Sequence, residues 1–158
     1  APKVYAYGVL VLWSMQGIDL SKGLALLADS GIRKVALPNP KVAPYGREAL
    51  RALQSARLMD AVGPKLVYGE SIAQATQFVY AGAAEAGISA KAAMLAPPLR
   101  GKAKWAEVDL RAYTPIAQGV VILKQGHAAH PRETQLFLDF LFSDQARAIF
   151  TRYGYRLP

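Results

Sequence analysis

The sequence has no cysteine, which excludes disulfides, thiolate nucleophiles and cysteine-ligated metals. That absence is compatible with an oxidising compartment but does not point to one. Histidine is nearly as scarce. His127 and His130 share the run Gly126-His-Ala-Ala-His-Pro131. No acidic or cysteine partner sits at ligand spacing, so the pair reads as a surface turn before a helix rather than a metal site. No uninterrupted apolar stretch approaches the length of a membrane span. The start Ala1-Pro2-Lys3-Val4 lacks the apolar core of a signal peptide, so for an exported protein the signal is expected to lie upstream. There is no glycine-rich phosphate fingerprint. Ser14, Ser30, Ser71, Ser89 and Ser143 include no nucleophile elbow. Glu70 and Asp60 lack an evident acid–base partner, and Tyr68, Tyr80, Tyr113, Tyr153 and Tyr155 read as packing residues. The expectation is a binding protein without a cofactor, not an enzyme.

What the chain does have is apolar mass and positive charge. Hydrophobic residues make up 53% of the 158 and charged residues 19%, enough for one good core and part of a second. The formal net charge is +8. Such a balance permits nucleic-acid or acidic-membrane binding. The basic residues are scattered, however, and no platform of alternating aromatic and basic residues accompanies them. The densest group, Arg100-Gly-Lys-Ala-Lys-Trp105, follows Pro97-Pro98 and reads as a solvated loop. No nucleic-acid partner is expected. A positive field would still steer a small dianion.

The most informative run is Asn39-Pro-Lys-Val-Ala-Pro-Tyr-Gly46. It follows the strand-like Val35-Ala36-Leu37 and opens a helix-like stretch from Arg47 to Leu58. Pro44 suits a first helical position, because its φ is already helical and its missing N–H has no use there. The amides of Tyr45, Gly46 and Arg47 are then expected to point free of the helix start. There the positive end of the helix dipole favours an anion. A second join has the same form. Leu66-Val67-Tyr68 reads as a strand, Gly69-Glu70-Ser71 as a turn with Ser71 as N-cap, and Ile72 to Val79 as a helix ended by Gly82. The amide of Ile72 lies in that first turn. Ala86-Gly-Ile-Ser-Ala90 follows as a buried strand. In an open α/β sheet such strand-to-helix turns gather at the carboxyl ends of the strands, where ligands bind.

A coarse pass gives strands at Tyr5–Ser14, Lys34–Leu37, Lys65–Tyr68, Ala86–Ala90 and Ile116–Leu123, with an edge strand at Val108–Ala112. Helices are expected at Ser21–Ala28, capped by Asp19 or Ser21, and at Pro44–Leu58, Ser71–Ala81, Lys91–Leu95, Pro131–Phe142 and Asp144–Tyr153. The alternation predicts an α/β fold with a mainly parallel sheet flanked by helices.

Six segments, in this order and spacing, resemble the molybdate-binding proteins of ABC importers. They are Tyr7-Gly-Val-Leu-Val-Leu-Trp-Ser14, Asn39 to Gly46, Gly69-Glu-Ser-Ile-Ala-Gln-Ala75, Gly87-Ile-Ser-Ala90, Pro115-Ile-Ala-Gln-Gly-Val-Val-Ile122 and Arg152-Tyr-Gly-Tyr-Arg-Leu157. The resemblance implies a type II periplasmic-binding-protein-like fold. Residues 10–114 would form one complete lobe, the oxyanion-binding half. Residues 1–9 and 115–158 would be returning segments of an incomplete first lobe, with hinge crossings at Tyr7-Gly8 and Pro115. The family usually has a long segment ahead of the equivalent of Tyr5, which supplies hydroxyl-bearing residues to the anion; the chain is therefore expected to hold about half a site. By resemblance the ligand is molybdate or tungstate, held by the backbone amides of Tyr45 and Ile72 and supported by Pro44, Gly46 and Ser71. The implied partner is an ABC permease and the implied location the periplasm. The apolar load of the last helices, at Leu136, Phe137, Phe140, Leu141, Ile149 and Phe150, leads to a further expectation. The chain should associate through residues 115–158, with itself or with a separate front half. Other readings are an oxyanion- or small-ligand-sensing module of the same fold, a two-lobed enzyme, which would need a titratable cluster at the cleft, and an interaction fragment.

Overall fold

The apolar run from Tyr5 to Ser14 forms two strands in two different sheets. In the computed structural model, which describes residues 2–158, β1 (Lys3–Gly8) ends at Gly8 and β2 (Leu10–Ser14) begins after a break at Val9. β1 pairs antiparallel with β7 (Ile116–Val120) in a two-stranded ribbon, with Gly8 opposite Ile116. β2 enters a five-stranded sheet with β3 (Val35–Pro38), β4 (Leu66–Gly69), β5 (Ala86–Ala90) and β6 (Lys104–Glu107), in the order β4-β3-β5-β2-β6.

This sheet is mixed rather than mainly parallel in its pairings. β3 runs parallel to β4 and β5, while β2 is antiparallel to both β5 and β6. The reversal arises because β2 is inserted from the ribbon between two strands that run the other way.

Alternation along the strands sends apolar groups to both faces. Leu10, Leu12, Val35, Leu37, Ala86 and Ile88 face one core, which α1 (Pro44–Ser55) covers with Tyr45, Ala49, Ala52 and Leu53. Val11, Trp13 and Ala36 face the other, under Val79 of α3 (Ile72–Tyr80) and Met94 of α4 (Lys91–Leu95). The short α2 (Met59–Val62) connects α1 to β4. After β7 come α5 (Lys124–Ala129), α6 (Pro131–Leu141) and α7 (Asp144–Arg152).

Several boundaries differ from the expectations. Lys104 and Trp105, read as loop, belong to β6, where Trp105 pairs with Trp13. The edge strand expected at Val108–Ala112 is absent. Asp109 instead accepts from the Arg111 amide at 2.9 Å and caps a 3-10 turn at Leu110–Ala112. Residues 23–28 form a 3-10 helix, and Asp19 caps only the Ser21 amide ahead of it, at 2.9 Å. The His127 region is helix α5 rather than a turn; His130 precedes Pro131, but its side chain caps nothing. α1 stops at Ser55, where the chain leaves through Arg57 at φ 56.

The last helices leave an apolar face in solvent. Phe137 is 60% exposed, Leu136 59% and Leu123, just past β7, 70%. Leu141 and Phe150 are half-buried, and Phe150 packs against Tyr5 of β1 at a ring separation of 5.2 Å.

Candidate anion site

Two strand-to-helix joins lie side by side at one end of the sheet. β3 and β4 are parallel neighbours, with Pro38 opposite Gly69, and each leads through a short turn into a helix start, with five residues between for α1 and two for α3. The turns are stitched together. The Asn39 amide donates to the Gly69 carbonyl at 2.7 Å, and the Asn39 side-chain amide donates to the Glu70 carboxylate at 3.3 Å. The Asn39 side-chain oxygen also accepts from the Lys41 amide at 3.0 Å, which fixes the Asn39-Pro40-Lys41 bend.

The first join is built for tight approach. Ala43 is the N-cap residue, with extended backbone, and Pro44 takes the first helical position. A Cβ on Gly46 would collide with the Pro38 carbonyl, so glycine here lets the first turn of α1 rest on the end of β3. At the second join a Cβ on Gly69 would meet the backbone of Ala75, so α3 sits equally close to β4. Ser71 caps α3: its hydroxyl accepts from the Gln74 amide at 3.1 Å, and the Gln74 side chain accepts from the Glu70 amide at 2.6 Å.

Among the described residues, the amides of Tyr45 and Gly46 in α1 and of Ile72 and Ala73 in α3 donate to no protein group. Arg47 does not join this set. Its amide donates to the Ala43 carbonyl at 3.1 Å, the first closed turn of α1, so the sequence expectation was one residue too long. The two joins therefore offer paired amides at adjacent helix starts, each at the positive end of its helix.

Pro44, Tyr45, Gly46, Ser71 and Ile72 thus all fall at the two neighbouring joins. The contribution of Asn39 was missed, although asparagine before Pro40 is a common local turn-former. Also missed was the Tyr45 side chain. It is buried, burial pushes its hydroxyl pKa up, and it reaches the backbone of Gly8 at the ribbon. That contact spans two sheets and has no local sequence signal.

The chain belongs to the bacterial extracellular solute-binding proteins, whose profile matches residues 1–156. It is 38% identical over 152 residues to the molybdate-binding protein of Rhodobacter capsulatus, covering 96% of this chain and 58% of that one. It is 38% identical over 154 residues to the molybdate-binding protein of Azotobacter vinelandii, covering 97% of this chain and 60% of the relative. The chain therefore spans about three fifths of the length of these curated relatives. A solved structure of the Azotobacter vinelandii periplasmic molybdate-binding protein superimposes with a TM-score of 0.88 at 31% identity, over 100% of this chain and 68% of that one. These relatives are named for a solute they bind, not for a reaction they catalyse.

Proposed function

We propose that this chain carries the half-site of a tetrahedral oxyanion receptor for ABC-type import, with molybdate or tungstate as ligand and the Tyr45 and Ile72 amides as donors. The observation that carries the reading is the pair of neighbouring helix starts with unused amides, in a chain similar to molybdate-binding proteins along nearly its whole length. Gly46 and Gly69 allow the helix starts to sit close to the strands, Pro44 presets the first turn of α1, and Ser71 holds that of α3.

Selectivity follows from the chemistry of the donors. Charge-assisted bonds from neutral amides strengthen as water leaves the cleft. A lining of donors alone rejects an anion that still carries a proton, because that proton finds no acceptor; hydrogenphosphate is disfavoured on this ground. Cavity size would separate larger from smaller oxyanions.

In this reading residues 10–114 are the complete lobe, and residues 1–9 and 115–158 belong to a first lobe that closes over the anion about the ribbon. The closed form presents itself to a permease in the periplasm. The exposed apolar face of α6 and α7 supports association through residues 115–158, with a second copy or with a separate front half. Calorimetric titration with molybdate, tungstate, sulfate and phosphate tests the ligand class. Heat of binding with the first two and none with phosphate is expected; phosphate binding as tight as molybdate would refute the donor-only lining.

A further inference from the structure

The helix that opens at the candidate anion site also grips both crossings between the two sheets. Three residues along one stripe of α1, Tyr45, Glu48 and Arg51, do this. The Tyr45 ring fills the space beside Gly8, at the end of the first crossing, where a Cβ would lie 2.6 Å from Cζ and closer still to the hydroxyl oxygen. The Glu48 carboxylate accepts from the Thr114 amide at 2.8 Å, at the second crossing. The Arg51 guanidinium donates to the Thr114 hydroxyl and lies 3.7 Å from the Glu48 carboxylate. The crossings are also tied to each other, since the Tyr113 hydroxyl accepts from the Leu10 amide at 3.1 Å and Gly8 pairs with Ile116.

We infer that α1 is the element that transmits anion capture to the hinge, with Glu48 as its positioning residue and the Tyr45–Gly8 contact as its second grip. This rests on the oxyanion reading above. Tyr45 would then serve twice: its amide faces the anion and its ring bears on the first crossing. A helix is stiff along its axis, so a small displacement at its first turn reappears at Glu48, one turn on. Thr114 has no other acceptor for its amide among the described residues, so its protection from solvent reports the grip directly. Gly8 is glycine for the same reason, since any side chain there would push the Tyr45 ring, and α1 with it, off the ribbon.

Amide hydrogen exchange read by mass spectrometry on the full chain, with and without sodium molybdate, tests this. Molybdate should slow exchange in peptides covering Tyr45–Gly46 and Ile72–Ala73. It should also slow exchange in those covering Gly8–Leu10 and Thr114–Ile116, by about threefold or more. In Glu48→Ala the slowing at the helix starts should persist while that at Thr114 is lost. Glu48→Gln, which keeps an acceptor, should restore it. Gly8→Ala should remove the slowing at the first crossing and provides a separate arm if Glu48→Ala folds poorly. A purely structural Glu48 would raise Thr114 exchange equally with and without molybdate, which would overturn the inference. Slowing at the helix starts with none at the crossings in the unaltered chain would overturn it as well. No slowing anywhere would strike the oxyanion reading itself, and the inference with it.

Discussion

The five-stranded sheet and the two-stranded ribbon handle similar apolar strands in opposite ways. In the sheet, β2 buries Leu10 and Leu12 on one face and Val11 and Trp13 on the other, because α1 covers the first and α3 and α4 the second. In the ribbon, β1 and β7 are too few to cover the helices that follow, and Leu136, Phe137 and Ile149 stay exposed. The difference lies not in how apolar the residues are but in how many strands are present to receive them. A two-stranded unit is marginal alone and needs further strands or a partner. The candidate site belongs to the well-covered region, where helix starts can be held to a fraction of an ångström.

The sharpest way to break this comparison is to truncate one large apolar side chain in each region. Leu53 is fully buried, so Leu53→Ala should cost about 2–5 kcal/mol in urea unfolding. Phe137→Ala should stay within about 0.5 kcal/mol. Equal losses would mean that the α6 face is covered after all. In the same vein, Leu136→Lys with Phe137→Lys should lower the mass seen by light scattering to that of a single chain if this face joins copies.

The next largest effect concerns the donors. Ile72→Pro should weaken molybdate binding by about 1.5–3 kcal/mol in calorimetry, the worth of a hydrogen bond to a charged group. The fold should survive, because position 72 is the first helical position and Ser71 is already extended, as a residue before proline must be. Ser71→Ala comes third. It removes the α3 cap and should cost about 1 kcal/mol of stability, read from denaturant midpoints, with a smaller effect on binding.

The smallest effect depends on pH. The amides of Lys34 and Arg33 and the Arg33 guanidinium hold the Glu85 carboxyl below its usual range. A depressed folded-state pKa adds stability above the unfolded value and loses it as pH falls through the folded one. Glu85→Gln should therefore lower the thermal midpoint at neutral pH, and the gap should close as the solution is acidified below the carboxylate range. A gap that widened on acidification would contradict the assignment.

What the sequence disclosed follows the range of the forces involved. Pro44, Ser71 and Gly82 announce caps and stops through contacts within a few residues, and the structure has them where they were expected. The two helix starts were legible for the same reason. The break at Val9 leaves no mark in the apolar pattern, which continues smoothly from Tyr5 to Ser14 while the strands part into different sheets; only the resemblance divided the chain there. β6 was hidden because Lys104 and Glu107 look like loop residues until Trp105 is seen opposite Trp13. Arg47 was assigned a free amide although, with Ala43 as N-cap, it is the fourth helical residue and its amide closes the first turn on the Ala43 carbonyl. The grip of α1 on Gly8 and Thr114 spans tens of residues of chain and leaves no local trace.

The central claim is that paired backbone amides at two neighbouring helix starts hold the anion. It is met most directly by titrating the 15N-labelled chain with sodium molybdate and following amide resonances. The account predicts that the largest shifts fall on Tyr45, Gly46, Ile72 and Ala73. Saturable shifts centred elsewhere, with these four unmoved, would contradict it.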